Sequence, residues 1–161
     1  MKTLFLIRHA EAKQCDIPDH KRPLTKEGIA SVNKLGAYLN NASLRFDGII
    51  TSHAVRASET AHYIAELTGF PENKIITKKQ LYATFLNTYF DVIFEQPDEI
   101  NNLAIIGHNP QITDFANYFL KDITIFLFPS NMVALHFYTD KWTDICMAEK
   151  ELFFVWPPVR Q

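Results

Sequence analysis

Arg8-His9 closes the apolar run Leu4-Phe5-Leu6-Ile7, and a second histidine, in Gly107-His108-Asn109-Pro110, closes another, Leu103-Ala104-Ile105-Ile106. Arg56 opens a helical pattern shortly after a third run, Gly48-Ile49-Ile50. Imidazole can act as nucleophile, base or hydrogen-bond donor near neutral pH, and guanidinium is a planar, permanently charged fork suited to oxyanions. Two of each at the ends of buried strands would be the equipment for holding a phosphoryl group and attacking it. Taken singly, a histidine at a strand end is more often a structural residue. The joint pattern carries the argument.

Those side chains need a scaffold that brings strand ends together. Lys2 to Ile7 is almost continuously apolar, as in a strand buried on both faces of a parallel sheet. Glu11 to Pro23 is polar, holds two prolines and reads as a loop, ended by Thr25 as the N-cap of a helix over Lys26 to Leu39. Asp47 to Thr51 is a second strand and Val55 to Leu67 a second helix, with Gly69 as its stop. Lys74 to Leu81 reads as a weaker, more exposed strand, followed by a helix over Thr88 to Glu95 that Pro97 ends. Asn102 to Ile106 is the next strand. Pro110 then sits where a first-turn proline is tolerated, ahead of the apolar stripe Ile112, Phe115, Ala116 and Phe119. The stretch Phe115 to Phe128 reads as core. Toward the C-terminus, Val133 to Tyr138 and Thr143 to Met147 read as strands joined by a turn at Thr139-Asp140-Lys141, with Leu152 to Trp156 as a further edge strand.

Strands alternating with helices imply right-handed crossovers and an α/β fold: a three-layer α/β/α sandwich with a mostly parallel sheet and antiparallel additions near the C-terminus. Ligands in such sheets bind outside the carboxyl ends of the strands. His9, Ser52 with Arg56, and His108 all fall on that edge, far apart though they are in sequence.

With 161 residues and 47% hydrophobic content, the expectation is a single domain over residues 1–161. A net charge of -2 with both signs interspersed argues against nucleic acid and anionic lipid as partners. No segment reads as a signal peptide or membrane span, so a cytoplasmic location is expected. Cys15 and Cys146 read as reduced thiols, and no His, Cys, Asp or Glu set has metal-ligand spacing. No metal or other cofactor is expected. His20, His53, His62 and His136 read as structural residues.

Four segments, Arg8-His9-Ala10-Glu11-Ala12, Arg22-Pro23-Leu24-Thr25-x-x-Gly28, Thr51-Ser52-x-x-x-Arg56-Ala57-x-x-Thr60-Ala61 and Gly107-His108-Asn109-Pro110, resemble the motifs of the histidine phosphatase superfamily in order and spacing. Chain length and the Gly-His-Asn-Pro form are most similar to its small branch, the SixA-type phosphohistidine phosphatases. The resemblance implies a phosphoglycerate mutase-like fold, with His9 as the nucleophile that forms a phosphoenzyme. Arg8, Arg56 and His108 would bind and neutralise the phosphoryl oxygens, and Asn109 would be a further phosphate contact. It also implies a phosphorylated substrate: phosphohistidine on a protein partner, or a small phosphorylated molecule. A phosphatase of small phosphate esters and a catalytically silent phosphoprotein-binding module remain alternatives, and a monomer is compatible with the sequence.

The sequence departs from the superfamily in two ways. Where relatives often place Asn or Asp six residues beyond the nucleophile, this chain has Cys15, with Asp16 adjacent. A cysteine phosphatase needs arginine six positions after its cysteine, and here Lys21 stands there. The second departure is the lack of a clear carboxylic general acid. Glu11, Glu59, Asp91 and Glu95 qualify only by being acidic, which favours substrates whose leaving group departs with little help.

Overall fold

The central strand of the computed structural model is β1, Lys2–Arg8, and six of its seven residues are buried. The structure describes residues 1–83, 85–121 and 123–157. Strands β2 (Gly48–Thr51), β3 (Ile76–Thr77), β4 (Asn102–Gly107), β5 (Met132–Phe137) and β6 (Lys150–Trp156) complete one sheet in the order β3-β2-β4-β1-β5-β6. The pairs β3/β2, β2/β4 and β4/β1 are parallel, whereas β1/β5 and β5/β6 are antiparallel. The register of β1 on β4 sets Arg8 opposite Gly107, so His9 and His108 leave the sheet side by side.

Alternation along β1 divides the core. Phe5 and Ile7 face helices α1 (Lys26–Asn41) and α2 (Val55–Thr68), where Val32, Leu35, Leu39, Ala61 and Ile64 are buried. Leu4 and Leu6 face α3 (Leu86–Phe94) and α4 (Gln111–Phe119), where Tyr89, Val92, Ile93, Ile112 and Phe115 are buried. Each fully buried Leu, Ile or Phe contributes about 1.5–3 kcal/mol of hydrophobic free energy. A three-layer sandwich follows, with helices on both faces of a mostly parallel sheet. The N-cap at Thr25 holds as expected, its side chain accepting from Gly28 N at 2.8 Å. Helix α2 stops at Gly69, whose φ of 73° suits a residue without Cβ.

Three local expectations need correction. Only Ile76–Thr77 of the 74–81 segment is strand, flanked by 3-10 turns at Glu72–Lys74 and Lys79–Leu81. The second turn buries Leu81 and sends Tyr82 toward the sheet's carboxyl edge. Thr143 to Met147 forms no strand: Trp142–Asp144 is a 3-10 turn, and β5 pairs directly with β6. Trp142 explains this, because its fully buried ring and its Nε1 donation to Ile100 O at 2.9 Å pin the turn against the core. The aromatic stretch from Phe115 is divided, since Phe115 and Phe119 are buried while Phe126 and Phe128 stand exposed.

Lys2 is a charged residue inside an otherwise apolar run. Its ammonium, buried with the rest of the strand, donates to the carbonyls of Asp98 and Ile100 and to Asn101 Oδ1. Those acceptors satisfy a charge that would otherwise be expensive to bury.

Candidate active site

His9 and His108 meet at the carboxyl edge of β1 and β4 with ring centroids 4.9 Å apart. Both are nearly buried, at 9% and 7% exposure, as is Arg56 at 6%. Gly107 keeps the approach open, because a Cβ there would overlap the hydroxyl of buried Tyr89 beneath the strand end.

The tautomer of His9 is set by its neighbour. Nδ1 lies 2.7 Å from the Ala10 carbonyl, which can only accept, so Nδ1 carries the proton and Nε2 keeps its lone pair. Arg56 Nε donates to that lone pair at 3.2 Å. His108 Nε2 pairs with Ser52 Oγ at 2.8 Å, and Ser52 in turn accepts from Ala54 N ahead of α2. Arg8 Nη1 donates to Leu127 O at 3.0 Å, and Asn109 Nδ2 reaches the same carbonyl at 2.8 Å. Thr113 Oγ1 donates to Asn109 Oδ1 at 2.7 Å, so Asn109 is engaged at both ends and ties the segment before β5 to α4. Three buried nitrogens, Arg8 Nε, His53 Nδ1 and His108 Nδ1, have no hydrogen-bond partner among the described residues.

Sequence reasoning missed Asp19. It lies in a 3-10 turn, Asp19–Lys21, in the loop after β1, and its Oδ2 accepts from Arg56 Nη2 at 2.9 Å and from Tyr82 Oη at 2.7 Å. Its Oδ1 accepts from Arg22 Nε at 2.9 Å, and its backbone carbonyl accepts from Arg56 Nη1 at 2.7 Å. The loop's contribution to the cluster is therefore Asp19, not Cys15 or Asp16, both of which are exposed. Cys15 Sγ lies 3.8 Å from the Lys13 carbonyl.

Of the carboxylates weighed from sequence, Glu59 accepts from Leu24 N at 2.8 Å and Glu95 pairs with Lys78 at 2.7 Å. Asp91 lies on the exposed face of α3, and the exposed Glu11 is held through its backbone carbonyl by Thr25 N. His53 lies just before the N-cap of α2, as expected, and also joins His20 and Tyr82 in a ring cluster with centroids 5.1 to 6.4 Å apart. Tyr82 also stands edge-on to His108 at 5.4 Å. His62 and His136 are structural, bonded to Ser58 O and Thr3 Oγ1 respectively.

The electrostatics are governed by burial among cations. Desolvation pushes His9 down from 6.5 to about 4; the Ala10 hydrogen bond opposes this, and the charges of Arg56, Arg8 and Arg22 add to it. Desolvation, followed by repulsion from His9 and Arg56, pushes His108 down to about 3, against a counteracting pull from Asp19. Asp19 is held well below the usual carboxylate range, foremost by the Tyr82 hydrogen bond and then by Arg56 and Arg22, although partial desolvation opposes them. Both histidines are therefore neutral and Asp19 ionised at pH 7.

Stability should register this. Between pH 6.5 and about 4 the unfolded chain binds protons that folded His9 and His108 refuse. Their contribution is present in full above 6.5 and is lost as pH falls through that window, by up to about 1.4 kcal/mol per pH unit for each histidine. Denaturant titrations at several pH values are expected to show this decline, and a His9→Gln/His108→Gln variant is expected to flatten it. An equal slope in the variant would contradict the assignment.

A three-layer α/β sandwich with two neutral imidazoles and three guanidiniums gathered at the carboxyl edge of its sheet defines an α/β protein with a cation-rich cluster at its strand ends. The sequence pattern of the histidine phosphatase superfamily (branch 1) matches residues 4–83. The chain belongs to the histidine phosphatase superfamily, with the phosphoglycerate mutase-like fold of its SixA-type members. An uncharacterized protein of Mycobacterium tuberculosis is 29% identical over 111 residues, covering 68% of this chain and 67% of that one. The proposed phosphohistidine phosphatase SixA of Nakamurella multipartitia superimposes with a TM-score of 0.83 at 22% identity, covering 99% of this chain and 97% of that one. The protein histidine phosphatase SixA in complex with tungstate gives 0.81 at 14% identity, covering 95% of each chain. At these identities the structural likeness is one of fold.

Proposed function

We propose that this phosphatase removes phosphoryl groups from histidine on a protein partner, through a phosphohistidine intermediate on His9. The observation that carries the reading is the His9 tautomer. With Nδ1 donating to Ala10 O, Nε2 carries the lone pair and faces the cation cluster, where it accepts from Arg56 Nε; once that hydrogen bond yields to substrate, it attacks phosphorus without a separate base. In the first step the bond from phosphorus to Nε2 forms while the bond to the leaving group breaks. In the second, water attacks phosphorus, the bond to Nε2 breaks, and orthophosphate leaves with His9 restored.

The remaining roles follow from charge. Arg8 and Arg56 neutralise the nonbridging oxygens of a loose transition state, and His108 donates to them from Nδ1. An oxyanion seated there supplies acceptors for Arg8 Nε and His108 Nδ1, which the protein leaves unpaired. The choice of phosphohistidine as substrate rests on the leaving group. The carboxylate at the site, Asp19, is held ionised and so has no proton to give, whereas imidazole departs readily from phosphorus.

Among the described residues, no three His, Cys, Asp or Glu side chains gather to hold a metal ion, and guanidiniums already provide the positive charge a metal would bring. Turnover is expected to be unchanged by a strong chelator. Loss of activity on chelation, restored by adding back a divalent ion, would contradict this. Direct assignment of the substrate comes from phosphate release measured side by side on a phosphohistidine-bearing protein and on a panel of phosphate esters.

A further inference from the structure

Asp19 sits against the Arg56 guanidinium. Both terminal nitrogens of Arg56 are engaged by this one residue, Nη2 by its carboxylate at 2.9 Å and Nη1 by its backbone carbonyl at 2.7 Å. Held this way, Arg56 presents its Nε to His9 Nε2 at 3.2 Å, engaging the lone pair that attack requires. A carboxylate and a phosphoryl group compete for the same fork, because each offers oxygens spaced to accept from a guanidinium.

We propose that Asp19 is an internal substitute for the phosphoryl group: it fills the Arg56 fork while the site is empty, and the incoming phosphoryl group displaces it. This rests on the reading of His9 and Arg56 as a phosphoryl site. Displacement is feasible because Asp19 lies in a loop turn with its side chain 51% exposed, and Arg22, three residues on, bonds its other oxygen at 2.8 Å. The carboxylate can leave Arg56 while keeping Arg22. A phosphoryl dianion outcompetes it by carrying more charge and more oxygens, whereas a monoanion has no such advantage.

The consequence is a looser hold on product. Three guanidiniums around His9 with no carboxylate among them would retain orthophosphate and slow its release. Asp19 returns to the fork as phosphate departs. It is a positioning residue, acting through Arg56 and Arg22.

The test is calorimetric titration of the full chain with orthophosphate and, separately, with tungstate, in wild type, Asp19→Asn and Asp19→Ala, with melting temperatures recorded to show that each is folded. Removing the carboxylate from Arg56 Nη2, with the backbone carbonyl still on Nη1, raises the binding-competent fraction, so both variants are expected to bind orthophosphate about tenfold more tightly than wild type. Steady-state assays should show KM falling, product inhibition sharpening and kcat failing to rise. Equal or weaker oxyanion binding in the folded variants would overturn the proposal and make Asp19 a mere brace for Arg56. If neither wild type nor variants bind either oxyanion, the phosphoryl-site reading falls first and takes this proposal with it.

Discussion

Replacing His9 with alanine is expected to reduce phosphatase turnover by roughly a thousandfold or more, as removal of a covalent nucleophile does. It should also abolish a phosphoenzyme that survives alkali and decays in acid, the behaviour of a phosphorus–nitrogen bond. The check is rapid quenching in base followed by intact-mass measurement, where wild type gains one phosphoryl group and the variant gains none. The fold should persist. The His9 side chain makes two hydrogen bonds, to Ala10 O and from Arg56 Nε, and its buried imidazole resists protonation, so below pH 6 the alanine variant should lose less stability than wild type. A folded variant with near-normal turnover would move the nucleophile elsewhere. His108→Ala is the informative companion, since it removes a donor to the phosphoryl oxygens but leaves Nε2 of His9 in place; it should slow turnover without preventing the phosphoenzyme.

How much of this was legible in the sequence depended on what fixes each element. Strand β1 could be read because a strand buried on both faces must be apolar throughout, and α1, α2 and α4 because their stripes repeat at helical spacing. Once three parallel strands were placed, the convergence of His9, Arg56 and His108 followed from the rule that strand ends share an edge. The short strand β3 was overread, because Ile76 and Thr77 are exposed and only pairing with β2 distinguishes them from loop. Near the C-terminus, Thr143 to Met147 has strand-like composition, yet Trp142 is buried and bonded to Ile100, and that tertiary contact prevails over propensity.

Asp19 was illegible for a different reason. Nothing about an acidic residue in a proline-bearing loop says which cation it will find, and Arg56 and Tyr82, its partners, arrive from distant segments. The usable signal was the departure itself: Cys15, with Asp16 beside it, stands where the superfamily pattern often has Asn or Asp, and in the structure both are exposed while Asp19 of the same loop meets the cations.

Asp19 also bears on the second large effect, the dependence of rate on leaving group. A general acid contributes roughly a hundredfold to ten-thousandfold to such reactions. The carboxylate at this site cannot serve, because Tyr82, Arg56 and Arg22 hold it ionised, and Glu59 and Glu95 are committed to Leu24 N and Lys78. His108, neutral with its Nδ1 unpaired, can steady an oxygen but is a weak proton source compared with a carboxylic acid. Cleavage of an alkyl phosphate must then expel a poorly protonated alkoxide, whereas a phosphoramidate releases imidazole. The expected result is turnover of phosphohistidine exceeding that of alkyl phosphates by about the factor an acid would have supplied. Among aryl phosphates the rate should rise steeply as the phenol becomes more acidic. Plotting the logarithm of kcat/KM against leaving-group pKa for a series of phenols and alcohols gives the slope directly. A flat plot, or a sugar phosphate hydrolysed as efficiently as phosphohistidine, would reveal a working acid and assign the chain to small phosphate esters. In Asp19→Asn the steep slope should persist, because orthophosphate leaves only after the leaving group has gone and so does not enter kcat/KM; kcat of the faster substrates should instead level off at a common value, as release of a phosphate held more firmly by Arg56 becomes limiting.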